Sequence, residues 1–128
     1  MKKEIIICIV VIIFVIVLNS ISGNYTKNSV ESIRNDLNIV KEDIKQNREQ
    51  NVISEDVARA KNNWDNKYKI LAYYLEHNEL EKITLYLVGL ESNVESEEYA
   101  QAMEELDKCI YILEHLEDKY NFNLRNIF

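Results

Sequence analysis

Apolar residues are laid out along this chain in two different ways. Residues 5–18 read IIICIVVIIFVIVL, fourteen apolar positions without a break. Beyond Asn24 they come singly, three or four positions apart, with polar residues between. Val30, Ile33, Leu37, Val40 and Ile44 are spaced 3, 4, 3, 4. That is the spacing of a helix face that meets a partner. Val57, Ala60, Trp64, Tyr68, Leu71 and Leu75 form a second stripe. Leu80, Ile83, Leu87, Leu90 and Val94 form a third, and Tyr99, Met103, Leu106, Ile110, Leu113 and Leu116 a fourth.

Each stripe has a start signal. Asn28 with Glu31, and Asn78 with Glu81, have the form of a capping box. Ser54 before Glu55 and Asp56, and Ser96 before Glu97 and Glu98, set a cap ahead of acids that suit the positive end of a helix. Lys45–Asn51 is wholly polar. It predicts a break between the first and second helices, because a rod of about fifty residues cannot bury its own stripe. A continuous rod is the alternative, since no Pro or Gly interrupts the run. Gly89 either lets a neighbouring helix approach closely or marks an end near Ser92.

A single amphipathic stripe is not stable alone in water, so the stripes must close on one another. The expected class is all-α: an N-terminal transmembrane helix followed by a small antiparallel helical bundle of about four helices. The chain has no proline and only Gly23 and Gly89 as glycines, too few for the turns of a sheet protein. The division is then 1–23, membrane anchor or signal peptide, and 24–128, the bundle domain.

The apolar run spans about 21 Å as a helix, against roughly 30 Å of hydrocarbon. Extension through the uncharged residues Asn19 to Gly23 brings it to about 28 Å. Two fates fit: an uncleaved signal anchor, or a signal peptide cut after Ser22 with Ser20 and Ser22 as its small residues. The strongly hydrophobic, β-branched run favours the anchor. Lys2, Lys3 and the amino terminus favour a cytoplasmic start, although Lys27 and Arg34 weaken the asymmetry. The bundle is then extracytoplasmic. Cys8 lies inside the run as a lipid-facing hydrophobe. Cys109 is left as the one cysteine beyond it, so the bundle has no intrachain disulfide; a core thiol is favoured over an intermolecular bridge. Asn24-Tyr25-Thr26 is a glycosylation triplet in form but lies too near the membrane to weigh much.

Net charge is −7, which disfavours a nucleic-acid partner. The charge is uneven. Residues 76–118 carry 13 acids against Lys82 and Lys108, while residues 24–75 carry 8 acids against 9 basic residues. Either the two halves pack side by side with solvated outer faces, or the acidic half meets a basic partner or cations.

The most chemical stretch is LAYYLEHNELEKI, Leu71 to Ile83. His77 lies among Glu76, Glu79 and Glu81. Its place just before Asn78 predicts a residue of the last turn of helix two, covering the carbonyl end. The alternative is a ligand pair with Glu79 or Glu81. Zinc wants three or four ligands, and His115 lies far along the chain. No nucleophile elbow, HExxH or phosphate-binding loop occurs, so no catalytic, cofactor or metal residues are assigned. Tyr73, Tyr86 and Tyr111 fall near the stripe edges and are candidates for contacts. Phe122, Leu124, Ile127 and Phe128 are expected to clasp the bundle or meet a partner.

At Trp64, His77, Glu79, Leu80 and Ile83, with the closing Asn126-Ile127-Phe128, the chain resembles a family of short Gram-positive bacterial proteins described only as a domain of unknown function. Their shared pattern is similar to W, a gap, H-x-E-L, a hydrophobic helix and a terminal N-I-F. The resemblance implies a single-pass membrane protein and gives Trp64, His77, Glu79, Asn126, Ile127 and Phe128 as signature positions; it supplies no catalytic residues. The functional expectation is a non-enzymatic scaffold or assembly component at the cell envelope, binding a protein partner or a second copy. The alternative is a sensor or cation-binding module that uses His77 and the acidic half.

Overall fold

Nothing in the sequence stops the first helix between the apolar run and the polar stretch at Lys45. The computed structural model describes the backbone of residues 1–127 and the side chains of residues 1–120. It has four helices: α1 (Lys2–Lys45), α2 (Gln50–Leu71), α3 (His77–Glu95) and α4 (Tyr99–Ile127). No strand occurs among the described residues. α1 is 44 residues long, about 66 Å of unbroken helix, so the apolar segment and the first bundle helix are one rod. The helix start expected at Asn28 is therefore corrected. Thr26 Oγ1 donates back to the Ser22 carbonyl at 2.8 Å, an i−4 bond that a helix interior permits.

The break expected within Lys45–Asn51 is present, and it is tight. Asn47 takes φ 54°, Asn47 N–H donates to Ile44 O, and Arg48 N–H donates to Asp43 O. This pair of bonds is the Schellman closure, with Asn at the left-handed position that Gly usually fills. α2 then begins at Gln50 rather than at Ser54. Gln50 Nε2 donates to the carbonyls of Val94 and Glu95, tying the first turn of α2 to the end of α3. The earlier start brings Ile53 into the core.

The other start signals shift as well. α3 begins at His77 with Glu76 as its N-cap, and Asn78 is exposed inside the first turn. α3 runs through Gly89 and Ser92 to Glu95. Ser96 is its C-cap rather than the start of α4, and Glu97 takes φ 58° in a second Schellman closure, with Glu98 N–H donating to Asn93 O. Gly89 does not end α3, and what approaches it is the flexible end of the Glu105 side chain rather than the backbone of a neighbouring helix. A Cβ there would lie 2.9 Å from Glu105 Oε2 of α4.

α1 packs on α2 and α4, and α3 packs on the same two, closing a four-helix ring. Contacts run in opposite senses on neighbouring helices. Arg34 meets Glu114 and Lys41 meets Asp107; Trp64 meets Thr84 and Lys61 meets Glu91. The bundle is antiparallel throughout. Its core takes Val30, Ile33, Leu37 and Val40 from α1 and Ile53, Val57, Ala60, Trp64 and Leu71 from α2. Leu80, Ile83, Leu87, Leu90 and Val94 come from α3. On α4 the seam is Ala102, Leu106, Cys109, Leu113 and Leu116. Met103 and Ile110, expected on the seam, flank it half-buried, and the smaller Ala102 and Cys109 face inward instead. Burial pushes the Cys109 thiol up to about 12, as expected of a core cysteine.

Candidate functional site

The outward face of α3 differs from that of its neighbours. Glu81, Leu85, Val88 and Ser92 recur at helical spacing on the side opposite the core seam, and all four are exposed. Leu85 is 67 % exposed and Val88 48 %. Hollows flank this strip on both sides. Toward α2, Asp65, Tyr68, Glu81, Thr84 and Leu85 line one. Toward α4, Tyr86, Glu104, Asp107, Lys108, Tyr111 and Ile112 line the other. Tyr111 stands on the outside of α4, and His115 one turn later stacks on it with centroids 6.4 Å apart.

The walls are held by bonds across the helices. Trp64 is buried, and its Nε1–H donates to Thr84 Oγ1 at 2.9 Å. Thr84 in turn donates to the Leu80 carbonyl. The Thr84 hydroxyl that lines the α2–α3 hollow is therefore already satisfied on both sides, not a free donor. The rim is acidic, and its cations are engaged. Lys61 pairs with Glu91 at 3.1 Å, and Lys108 with Glu104 at 3.2 Å and Glu105 at 3.4 Å. The bond to Glu104 raises Lys108 above the ordinary lysine range. The neutral and acidic halves pack side by side as expected. α1 and α2 cations reach across to Glu114 and Asp107 of α4 and to Glu91 of α3, while Asp65 and Glu81 stand exposed without an ion pair among the described residues.

A second polar cluster lies where the bundle meets the apolar segment. Tyr74 OH is 2.8 Å from Thr26 Oγ1 and donates to the Ser22 carbonyl at 3.2 Å. The Tyr74 ring packs on Tyr120 of α4 at 5.7 Å. Partial burial raises Tyr74 above the ordinary phenol range. The end of α2 is thus bonded to the helix that carries the apolar run.

The signature positions do not converge. Trp64 is core, at the level of Thr84, seven residues and about 10 Å up α3 from exposed His77. His77 is the first residue of α3, not the last turn of α2. It therefore sits at the positive end of a helix, and the expected carbonyl-capping role is corrected. Glu79 is half-buried beside Lys82 at 3.7 Å. His77 and Glu81 do share one helix, four residues apart. No group of three His, Cys, Asp or Glu side chains that could hold a metal occurs among the described residues. Asn126 and Ile127 fall in the last turn of α4, and their side chains, with Phe122, Leu124 and Phe128, lie outside the described residues. Tyr73 and Tyr111 are exposed and Tyr86 is half-buried.

Thr84, Leu85 and Val88 were not singled out by pattern. Leu85 and Val88 carried a signal all the same: they are large apolar residues that fall off the Leu80–Val94 seam.

α1 is the one helix among the described residues long and apolar enough to cross a membrane by length and composition. No curated protein and no solved structure matches the chain significantly. A family profile, described as a domain of unknown function (DUF4363), matches residues 20–127, which covers the bundle and leaves the apolar run outside. The chain belongs to this DUF4363 family.

Proposed function

We propose that residues 5–23 anchor the chain in the cell membrane, that the bundle lies outside the cytoplasm, and that it acts by protein contact, as a scaffold or assembly component, through the outer face of α3. The observation that carries this is the exposed pair Leu85 and Val88, set between two hollows and rimmed by Asp65, Glu81, Glu104 and Asp107. Apolar centres with charged rims are the anatomy of docking surfaces. Glu104 and Asp107 already pair with Lys108 and Lys41, so Asp65 and Glu81, which make no ion pair among the described residues, favour a partner whose own apolar strip carries Lys or Arg on the α2 side. A second copy meeting this face with its own would set like charges together.

The anchor is favoured over a cleaved signal by the unbroken helix through Ser20, Ile21 and Ser22. A cut after Ser22 would also remove the carbonyl that Thr26 and Tyr74 bind. Lys2 and Lys3 support a cytoplasmic amino terminus.

The test is co-purification of the tagged full-length protein from detergent-solubilised membranes. A partner recovered with the wild type is expected to be lost with the L85D/V88D double variant, whose melting temperature stays close to that of the wild type. Equal recovery by both forms contradicts the docking face.

A further inference from the structure

We infer that the α2–α3 connection, Ala72–Glu76, rests in the phospholipid headgroup layer, with Tyr73 as its contact. This makes a second attachment to the membrane besides the apolar helix. The inference rests on residues 5–23 being the anchor.

The geometry is one of level. α2 descends antiparallel to α1. Asn63 bonds Ser32 and Asp36, and Tyr74, eleven residues on, bonds Thr26 and the Ser22 carbonyl. α3 rises again from His77, so the connection is the lowest point of that pair of helices. Its height is fixed at Ser22–Thr26.

The hydrocarbon boundary falls at the same height. The run ending at Leu18 is about 9 Å short of a 30 Å core, and charged Lys2, Lys3 and Glu4 precede it. If the outer flank Asn19–Gly23 fills the deficit, the boundary is at Gly23, level with the connection. If instead the bilayer thins to the run alone, Ser22 stands about 6 Å above it, still within a headgroup layer some 5–7 Å deep. Both cases put Ala72–Glu76 among headgroups.

The residues there suit that layer. Tyr73 is 89 % exposed, and Ile70, three residues before it, is 48 % exposed. Tyrosine is enriched at membrane interfaces because its ring is apolar and its hydroxyl is wet. Tyr25, Tyr74 and Tyr120 gather at the same end. Lys67 lies over the Tyr25 ring at 5.6 Å, and exposed Lys69 is close by in sequence. Glu76 is neutralised by Lys119 at 2.9 Å. In water, a tyrosine as exposed as Tyr73 would be left without a contact. Against lipid it has one, and the bundle is held upright by two points rather than one.

The test uses full-length protein in vesicles of phosphatidylcholine and phosphatidylglycerol, with or without bromine high on the acyl chains. Native Trp64 is buried and well above the boundary, so the wild type gives a constant background. The Y73W variant is expected to lose its added emission in brominated vesicles, while V52W, at the far end of the bundle, keeps its emission. If Y73W is not quenched although the protein resists carbonate extraction, the headgroup contact is overturned and the anchor stands. If carbonate extracts the protein, anchor and contact fall together.

Discussion

The Tyr74 hydroxyl lies 2.8 Å from Thr26 Oγ1, across 48 residues of sequence, and also donates to the Ser22 carbonyl. This bond makes the end of the bundle next to the apolar run one piece with α1. Removing it in Tyr74→Phe leaves Thr26 its own bond to Ser22 and keeps the ring packing on Tyr120. The expected cost is about 1 kcal/mol, read from urea unfolding of the detergent-solubilised chain. No loss would show that the hydroxyl contributes nothing, and a loss of several kcal/mol would show that it is worth more than an ordinary hydrogen bond.

Glu97 holds a left-handed conformation that costs a side-chain-bearing residue about 1–2 kcal/mol, and both α3 and α4 depend on the turn it makes. Glu97→Gly relieves that strain and gives back part of the gain as unfolded-chain entropy. It is expected to stabilise the bundle by about 1 kcal/mol. Asn47→Gly, at the equivalent turn after α1, should give less, because Asn tolerates this region. Destabilisation by Glu97→Gly would mean that the carboxylate supports the start of α4.

Much of the fold was legible because the 3–4 spacing leaves little choice. The seams Val30–Val40 and Leu80–Val94 are buried as the pattern required. The polar run after Lys45 became a turn because a continuous rod would have left its stripe in water. The element ends were harder to read. Asn28 and Ser54 are good caps that the chain passes through as helix interior: nothing interrupts α1 before Lys45, and Gln50 ties an earlier first turn of α2 to the end of α3. The turn after α3 uses Glu97, which no turn rule singles out. This also moved His77, whose place relative to the α2–α3 junction decides which helix end it faces. On α4, Met103 and Ile110 match a helical stripe as well as Ala102 and Cys109 do, and only packing selects between them. The candidate site was visible only as misfits, Leu85 and Val88, because a pattern search rewards residues that lie on the seam.

Cys109 gives a pH signature. Burial raises its thiol from about 9.0 to about 12, so the unfolded chain releases this proton earlier than the folded one. Its contribution is intact below pH 9 and is lost as pH rises towards 12, by about 1.4 kcal/mol per pH unit. Tyr74, also raised, acts in the same direction at higher pH. Thermal melting should therefore fall steeply in alkali, and Cys109→Ala should flatten the first part of the fall. Parallel profiles for the two proteins would place the loss elsewhere.

The most direct measurement is site-specific photocrosslinking in the native membrane. A photoreactive residue replacing Leu85 is expected to give a discrete adduct with another protein, and the same residue replacing Asn38, exposed on the outside of α1, is expected to give none. Adding V88D should abolish the adduct without lowering the amount of protein in the membrane. Adducts of equal yield from both positions, or none from Leu85, would contradict a partner held on the outer face of α3.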